Sequence, residues 1–257
     1  MNSRLFQRDF TIMILGQIIS LFGNAILRFS LSLYVLEVTG SAAVFGTILA
    51  VSMIPTVLLS PFGGVLADRL PKQKIMTILD FVTAGLIVFY DAVYGSAGNL
   101  AAVTIFMILL TLIQAFYQPS VQASIPLLAS QEQLMAANGI VMQVQALAGL
   151  LGPILAGMLY GIGGVKPILA ASAVCFFLSA VMELFLRIPH EKREADGSPV
   201  RMALLDLKGA VTYLIRENTC LFKLLIVVAG INLFLSALFI IGLPYLVKIY
   251  LGMSAQA

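Results

Sequence analysis

The sequence predicts an all-α integral membrane protein: a six-helix transmembrane bundle, a polar linker and a seventh spanning helix. Three observations carry this. Of the 257 residues, 60% are hydrophobic and only 11% charged, against about 45–50% and about 25% in soluble domains. Several apolar runs reach the ~20 residues that cross a hydrocarbon core. The basic residues gather on one side of those runs. The same composition excludes an ordinary soluble domain and a disordered chain, which needs low hydrophobicity and high charge. A net charge of +3, spread over loops, gives no nucleic-acid footprint.

Spans are read at about 10–35, 43–66, 74–94, 99–120, 139–161, 166–188 and 221–247. They must be helices, because lipid cannot satisfy backbone polar groups. Arg4 and Arg8 precede the first run as they would in a signal peptide, but no small-residue cleavage site follows, so the run is kept as span one. Twelve basic residues fall on one side: Arg4, Arg8, Arg69, Lys72, Lys74, Arg187, Lys192, Arg193, Arg201, Lys208, Arg216 and Lys223. Two, Lys166 and Lys248, fall on the other. The asymmetry places the N-terminus in the cytoplasm. Tyr34, Tyr90, Tyr94, Tyr160, Tyr245 and Tyr250 sit near the outer span ends, and with no Trp in the chain they are the expected interfacial anchors.

The expected organisation is a bundle over 1–188, a cytoplasmic linker over 189–220 and the first helix of a second bundle over 221–257. In the linker, Ser198-Pro199 suits a helix start. Leu204, Leu207, Val211 and Leu214 then recur at helical spacing, as in an amphipathic surface helix. A solvated linker helix is the preferred reading, a regulatory contact the other. Asn232–Gly252 can be laid on Ser20–Gly40, pairing Phe234 with Phe22, Ser236 with Asn24, Val247 with Val35 and Gly252 with Gly40. Transporters are often built from such repeats. Span seven then repeats span one, the rest of the second bundle is missing, and a complete protein is expected to end at about residue 400.

Catalytic chemistry finds no foothold. Cys175 and Cys220 lie in different settings and lack metal-ligand spacing. His190 is the only histidine, which disfavours a metal site or a triad. No glycine-rich phosphate loop ends in Lys-Ser/Thr. The chain is expected to be no enzyme, with no cofactor and no metal.

Between spans two and three the chain reads Gly63-Gly64-Val65-Leu66-Ala67-Asp68-Arg69-Leu70-Pro71-Lys72-Gln73-Lys74. Gly63 and Gly64 would let helices approach closely, and the basic residues hold the segment at the cytoplasmic face. This stretch resembles the signature of the major facilitator superfamily, Gly-x-Leu-Ala-Asp-Arg-x-Gly-Arg-Arg-Lys. Gly64, Leu66, Ala67, Asp68, Arg69 and Lys74 match it; Lys72 is a basic substitute, Pro71 replaces a glycine and Gln73 a basic residue. The resemblance implies a conformational gate formed by Gly64, Asp68, Arg69, Lys72 and Lys74, with Asp68 accepting bonds from a helix N-terminus of the other half. In span five, Ala148-Gly149-Leu150-Leu151-Gly152-Pro153-Ile154-Leu155-Ala156-Gly157 resembles the antiporter motif of the superfamily's exporters through Gly152, Pro153 and Gly157. Pro153 removes a backbone donor, and the small face permits tight packing. Gln118-Pro119-Ser120 through Ile125-Pro126, closing span four, and Asn138-Gly139, opening span five, look like the branch holding bacterial macrolide, multidrug and siderophore exporters.

Arg28 lies within span one, where a charge costs roughly 2.5–3.5 kcal/mol on insertion scales and needs a reason. Gln17, Asn24 and Arg28 share one helical stripe, and Thr104, Thr111, Gln114 and Gln118 form a comparable one on span four. In the superfamily's fold spans one, four and seven line the central cavity, so the resemblance implies a substrate cavity of Gln17, Asn24, Arg28, Gln114, Gln118 and Asn232, with Ser236 nearby. Among the acids, Asp80 lies two turns inside span three; a structural partner of the basic loop is the preferred reading, and a proton site is the other. Asp91 and Glu183 are expected to reach water at the interfaces.

The resemblance implies a secondary transporter in the bacterial cytoplasmic membrane, exporting amphiphilic small molecules (drug, macrolide or siderophore type) against protons by alternating access, as a monomer when whole. Its partners would be the small-molecule substrate, protons and the lipid bilayer. The rival expectation is a truncated, non-transporting piece or an interaction partner of another membrane protein.

Overall fold

The structure, a computed structural model, describes residues 7–95, 99–189, 204–205, 208–209 and 211–237. Two compact units divide at Pro199/Val200. The first holds six helices: α1 Arg8–Thr39, α2 Ala42–Arg69, α3 Lys72–Tyr94, α4 Leu100–Leu128, α5 Leu134–Gly163 and α6 Val165–Leu184. All six are long and apolar enough to cross a membrane.

Local chemistry sets the helix ends. Gly40 closes α1 in the left-handed region (φ 59°), where a side chain would be strained, and its N–H reaches the Leu36 carbonyl at 2.9 Å. One residue later Ser41 opens α2, its hydroxyl accepting from the Val44 N–H. Asn99 caps α4 by accepting from the Ala102 N–H at 2.8 Å. Gly164 (φ 67°) alone separates α5 from α6 and turns the chain back.

Span four was expected to stop near residue 120, but α4 runs through Pro119 and Pro126 to Leu128. The bond that Pro119 cannot donate leaves the Ala115 carbonyl without its helical partner. Gly63 of α2 packs there: a Cβ on Gly63 would stand 2.2 Å from the Ala115 oxygen. A neighbouring helix thus covers the carbonyl that the proline frees. Span six, expected to 188, ends at Leu184.

α1 packs against α5 and α6, α2 against α4, and α3 against α6 and α4. Small residues make the α1–α6 seam close. Ser179 donates to the Gly16 carbonyl at 3.0 Å, Ser172 donates to that of Gly23 at 3.2 Å, and a Cβ on Gly23 would meet Cys175 Cβ at 3.1 Å. Two apolar clusters fill the interior. One includes Leu27, Leu31, Tyr90, Phe106, Ile168 and Phe176, with Tyr90 stacked on Phe106 at 4.3 Å. The other includes Phe10, Met13, Met76, Tyr117, Val121 and Leu186. Meanwhile Val57, Leu58, Ile78, Phe89, Leu150 and Ile162 face outward, an apolar exterior suited to lipid.

In the second unit, a π-helical turn Tyr213–Glu217 precedes α7, Thr219–Ala237. Leu204 and Val211 of the expected amphipathic helix are helical and exposed. Leu207, most of the linker and the stretch after 237, with Ser236's side chain, Tyr245, Lys248 and Tyr250, lie outside what the structure describes.

Candidate functional site

Within the six-helix unit a cavity of about 530 Å³ opens between α1, α2, α4 and α5. Asn24 and Arg28 come from α1, Met53, Thr56 and Ser60 from α2, Gln114, Gln118 and Gln122 from α4, and Gln145 from α5. Arg28 Nη2 lies 3.9 Å from Met53 Sδ, and among the described residues no acid lines the cavity. Gln145 Nε2 donates to Gln118 Oε1 at 3.1 Å, tying α5 to α4 at the cavity wall. The Asn24 carboxamide oxygen is buried without a protein partner. The arrangement can seat an apolar body and grip acceptor groups with one guanidinium and several amides.

The structure sorts the expected cavity residues. Asn24, Arg28, Gln114 and Gln118 meet. Gln17 does not line the cavity: it is fully buried two turns before Asn24, toward the start of α1, its amide without a partner. The stripe is continuous, but its lower end is closed by packing. Thr111 is buried and donates to the Met107 carbonyl, while Thr104 lines a separate apolar groove beside α2. Asn232 belongs to the second unit, where its Nδ2 donates to the Val228 carbonyl at 3.0 Å. Gln122, Gln145, Thr56 and Ser60 were missed. Gln122 was detectable, since it extends the Gln114–Gln118 stripe by one more turn.

The signature segment is mostly helix rather than loop, since only Leu70 and Pro71 separate α2 from α3. Asp68 is exposed on the last turn of α2, and Lys72 and Lys74 stand in the first turn of α3. Each sits at the helix end its charge disfavours, at about 0.3–1 kcal/mol per group. Helix stability therefore does not explain them. Gln73, where the signature has a basic residue, donates to the terminal α6 carbonyls of Glu183 and Leu184, both at 3.1 Å. Gly63, not Gly64, makes the close approach; a Cβ on Gly64 would meet nothing within 4 Å.

In α5, Gly152 is the contact residue: a Cβ there would stand 2.5 Å from Ala25 Cβ of α1. Ala148 and Ala156 share that buried face, whereas Gly149 and Gly157 have open space. The helix continues through Pro153 to Gly163.

The acids differ from expectation. Glu183, expected to reach water, is fully buried because Tyr117 of α4 closes over it and donates to Oε1 at 2.8 Å. Asp80 is 1% exposed beside Ser179, with neither oxygen hydrogen-bonded, and lies away from the cavity.

The sequence profile of the Major Facilitator Superfamily matches residues 13–257. The chain belongs to that superfamily. It is 29% identical to macrolide efflux protein A of Streptococcus pyogenes over 217 residues, covering 82% of this chain and 52% of the relative. It is 23% identical to the staphyloferrin A transporter of Staphylococcus aureus over 179 residues, 68% of this chain and 45% of the relative. A crystal structure of a bacterial homologue of the iron transporter ferroportin, in an outward-facing state, superposes with TM-score 0.58 at 20% identity, over 74% of this chain and 51% of that one. The chain thus spans about half the length of the curated relatives it matches. It is a multi-pass membrane protein of a transporter family, with efflux proteins among its relatives.

Proposed function

We propose that this chain supplies the N-terminal half of a proton-coupled secondary exporter of amphiphilic small molecules, seated in the bacterial cytoplasmic membrane with its N-terminus in the cytoplasm. The cavity carries the reading: Arg28, Asn24, Gln114 and Gln118 gather around one space in an otherwise apolar bundle. An ionised side chain at membrane depth with no ion partner among the described residues is best explained by a solute pathway. The similarity to macrolide efflux protein A and to the staphyloferrin A transporter supports the substrate class. With a guanidinium and no acid on this wall, neutral or anionic acceptor-rich amphiphiles suit this half better than cations.

Alternating access would rock this bundle against a second one around the midplane. Asp68, exposed at the α2 end, would accept bonds from the opposing half in the closed-cytoplasm state and release them on opening. Arg69, Lys72 and Lys74 would hold that end at the membrane surface, and Gly152 and Pro153 would set how α5 moves along α1. One observation favours a second reading: the match to about half of each relative fits a non-transporting piece or an interaction partner.

The test is energised efflux of a fluorescent amphiphile from cells expressing the reading frame that contains this chain, comparing the natural form with Arg28→Gln and Asp68→Asn. Gradient-driven efflux that both substitutions impair is expected. Efflux equal to that of empty cells supports the second reading.

A further inference from the structure

Away from the cavity, the seam between α3 and α6 buries ionisable groups that the reading above leaves without work. Asp80 and Glu183 are 1% and 0% exposed and close enough to interact electrostatically. Three of their four carboxylate oxygens have no hydrogen-bond partner: both of Asp80 and Oε2 of Glu183. The fourth, Glu183 Oε1, accepts from Tyr117.

Every wall of this site contributes something that can be named. From α4 comes Tyr117, whose hydroxyl also lies 3.3 Å from Ser20 Oγ. α1 contributes Gly16 and Ser20, neither of which titrates; a Cβ on Gly16 would stand 3.7 Å from Glu183 Cγ. α6 adds Ser179, whose hydroxyl is spent on the Gly16 carbonyl. On α3, Thr77 lies one turn after Gln73 and one turn before Asp80 on the same face. Gln73 of that stripe bonds the Glu183 backbone carbonyl, and Thr77 itself is buried with its hydroxyl unpartnered. The titratable groups facing the pair are Tyr117 and the two acids themselves. Among the described residues no basic side chain is hydrogen-bonded to either carboxyl.

The count is unbalanced: oxygens that only accept outnumber the donors aimed at them. Two adjacent carboxylates out of water cannot both stay ionised without a counter-charge. A single proton corrects both faults, cancelling one charge and turning one orphaned acceptor into a donor.

We propose that Asp80 and Glu183 are a proton-binding pair that holds one shared proton at the α3–α6 seam and signals its presence to the cavity wall through Tyr117. Loading forms one O–H bond on a carboxylate oxygen with a proton taken from water; unloading returns that proton to water. Tyr117 adjoins Gln118 in α4, so a change in its bond to Glu183 acts on the helix that carries the cavity amides. The site deepens the proton-coupled reading above and rests on it for its purpose, but its occupancy can be measured without transport.

The experiment is pH-difference infrared spectroscopy of the purified 257-residue chain in detergent, for the natural sequence, Asp80→Asn with Glu183→Gln, and Tyr117→Phe. The natural chain is expected to show a protonated-carboxyl C=O band at pH 7 that disappears on alkalinisation. The double variant should lose that band, and Tyr117→Phe should move its midpoint while leaving both acids in place, a readout that stands if the double variant fails to fold. A band unchanged in the double variant overturns the proposal. So does a pair that is fully ionised at pH 7, or one whose spectrum responds to sodium or calcium ions instead of pH. A natural chain that shows the band in detergent but no efflux in cells counts against the transporter reading alone.

Discussion

Two regions of one bundle treat polar side chains in opposite ways. On the cavity side, α1, α4 and α5 turn Asn24, Arg28, Gln118 and Gln145 toward open space, and only Gln118 and Gln145 bond each other. On the far side of α1, the α3–α6 seam seals Asp80, Thr77 and Glu183 behind Tyr117. Both sets are expensive at membrane depth. The difference teaches that a polar residue inside a span is not by itself a sign of a solute path: one set lines open space, and the other is sealed by packing.

The largest expected effect attacks the wall behind the cavity. Gly63→Leu drives a branched side chain into the Ala115 carbonyl, where even a Cβ would stand at 2.2 Å. It should destabilise the bundle by about 3 kcal/mol, lowering the midpoint of thermal unfolding in detergent. Gly64→Ala, with nothing within 4 Å, should be neutral or stabilise by up to about 1 kcal/mol. Equal losses in both would mean that α2 and α4 do not meet at Gly63.

Arg28→Gln should weaken export of an acceptor-bearing amphiphile about ten- to a hundredfold, the equivalent of one charge-assisted bond of about 1.5–3 kcal/mol. Thermal stability should not fall, because the guanidinium gives up only a sulfur contact. A drop in stability with export unchanged would make Arg28 a packing residue.

On the seam, Gln73→Ala removes two bonds to the end of α6. The expected cost is about 1–2 kcal/mol in unfolding free energy, with cavity labelling unaltered. Altered labelling would show that the two regions are less separate than described.

Asp68→Asn should leave stability nearly unchanged. The carboxylate is exposed at a helix C-terminus, so the change should shift stability by under about 0.5 kcal/mol while cutting efflux. Efflux that stays at the natural rate removes the gating role.

The contrast also marks what was legible beforehand. The six spans were readable because hydropathy over ~20 residues is set by the lipid, not by the partners of any one helix. The Asn24–Arg28 and Gln114–Gln118 stripes were readable because side chains one turn apart share a face. Periodicity does not say how deep a stripe stays open, and so Gln17 was placed with Asn24 although the bundle closes around it. Glu183 was misjudged for a related reason. Its position near a helix end suggested water, but Tyr117, 66 residues away in sequence, covers it. Hydropathy put the end of span four near residue 120, and the packing of Gly63 over the carbonyl that Pro119 frees shows why the helix continues.

The separation of a wet cavity from a sealed seam can be measured directly. Cys175 and Cys220, the two native thiols, would first be replaced by serine. Single cysteines at Gln118 and at Ser179 would then be exposed to a small membrane-impermeant thiol reagent. The account predicts rapid modification of the Gln118→Cys variant and little of Ser179→Cys until the protein is unfolded. Comparable rates at both positions in the folded protein would contradict it.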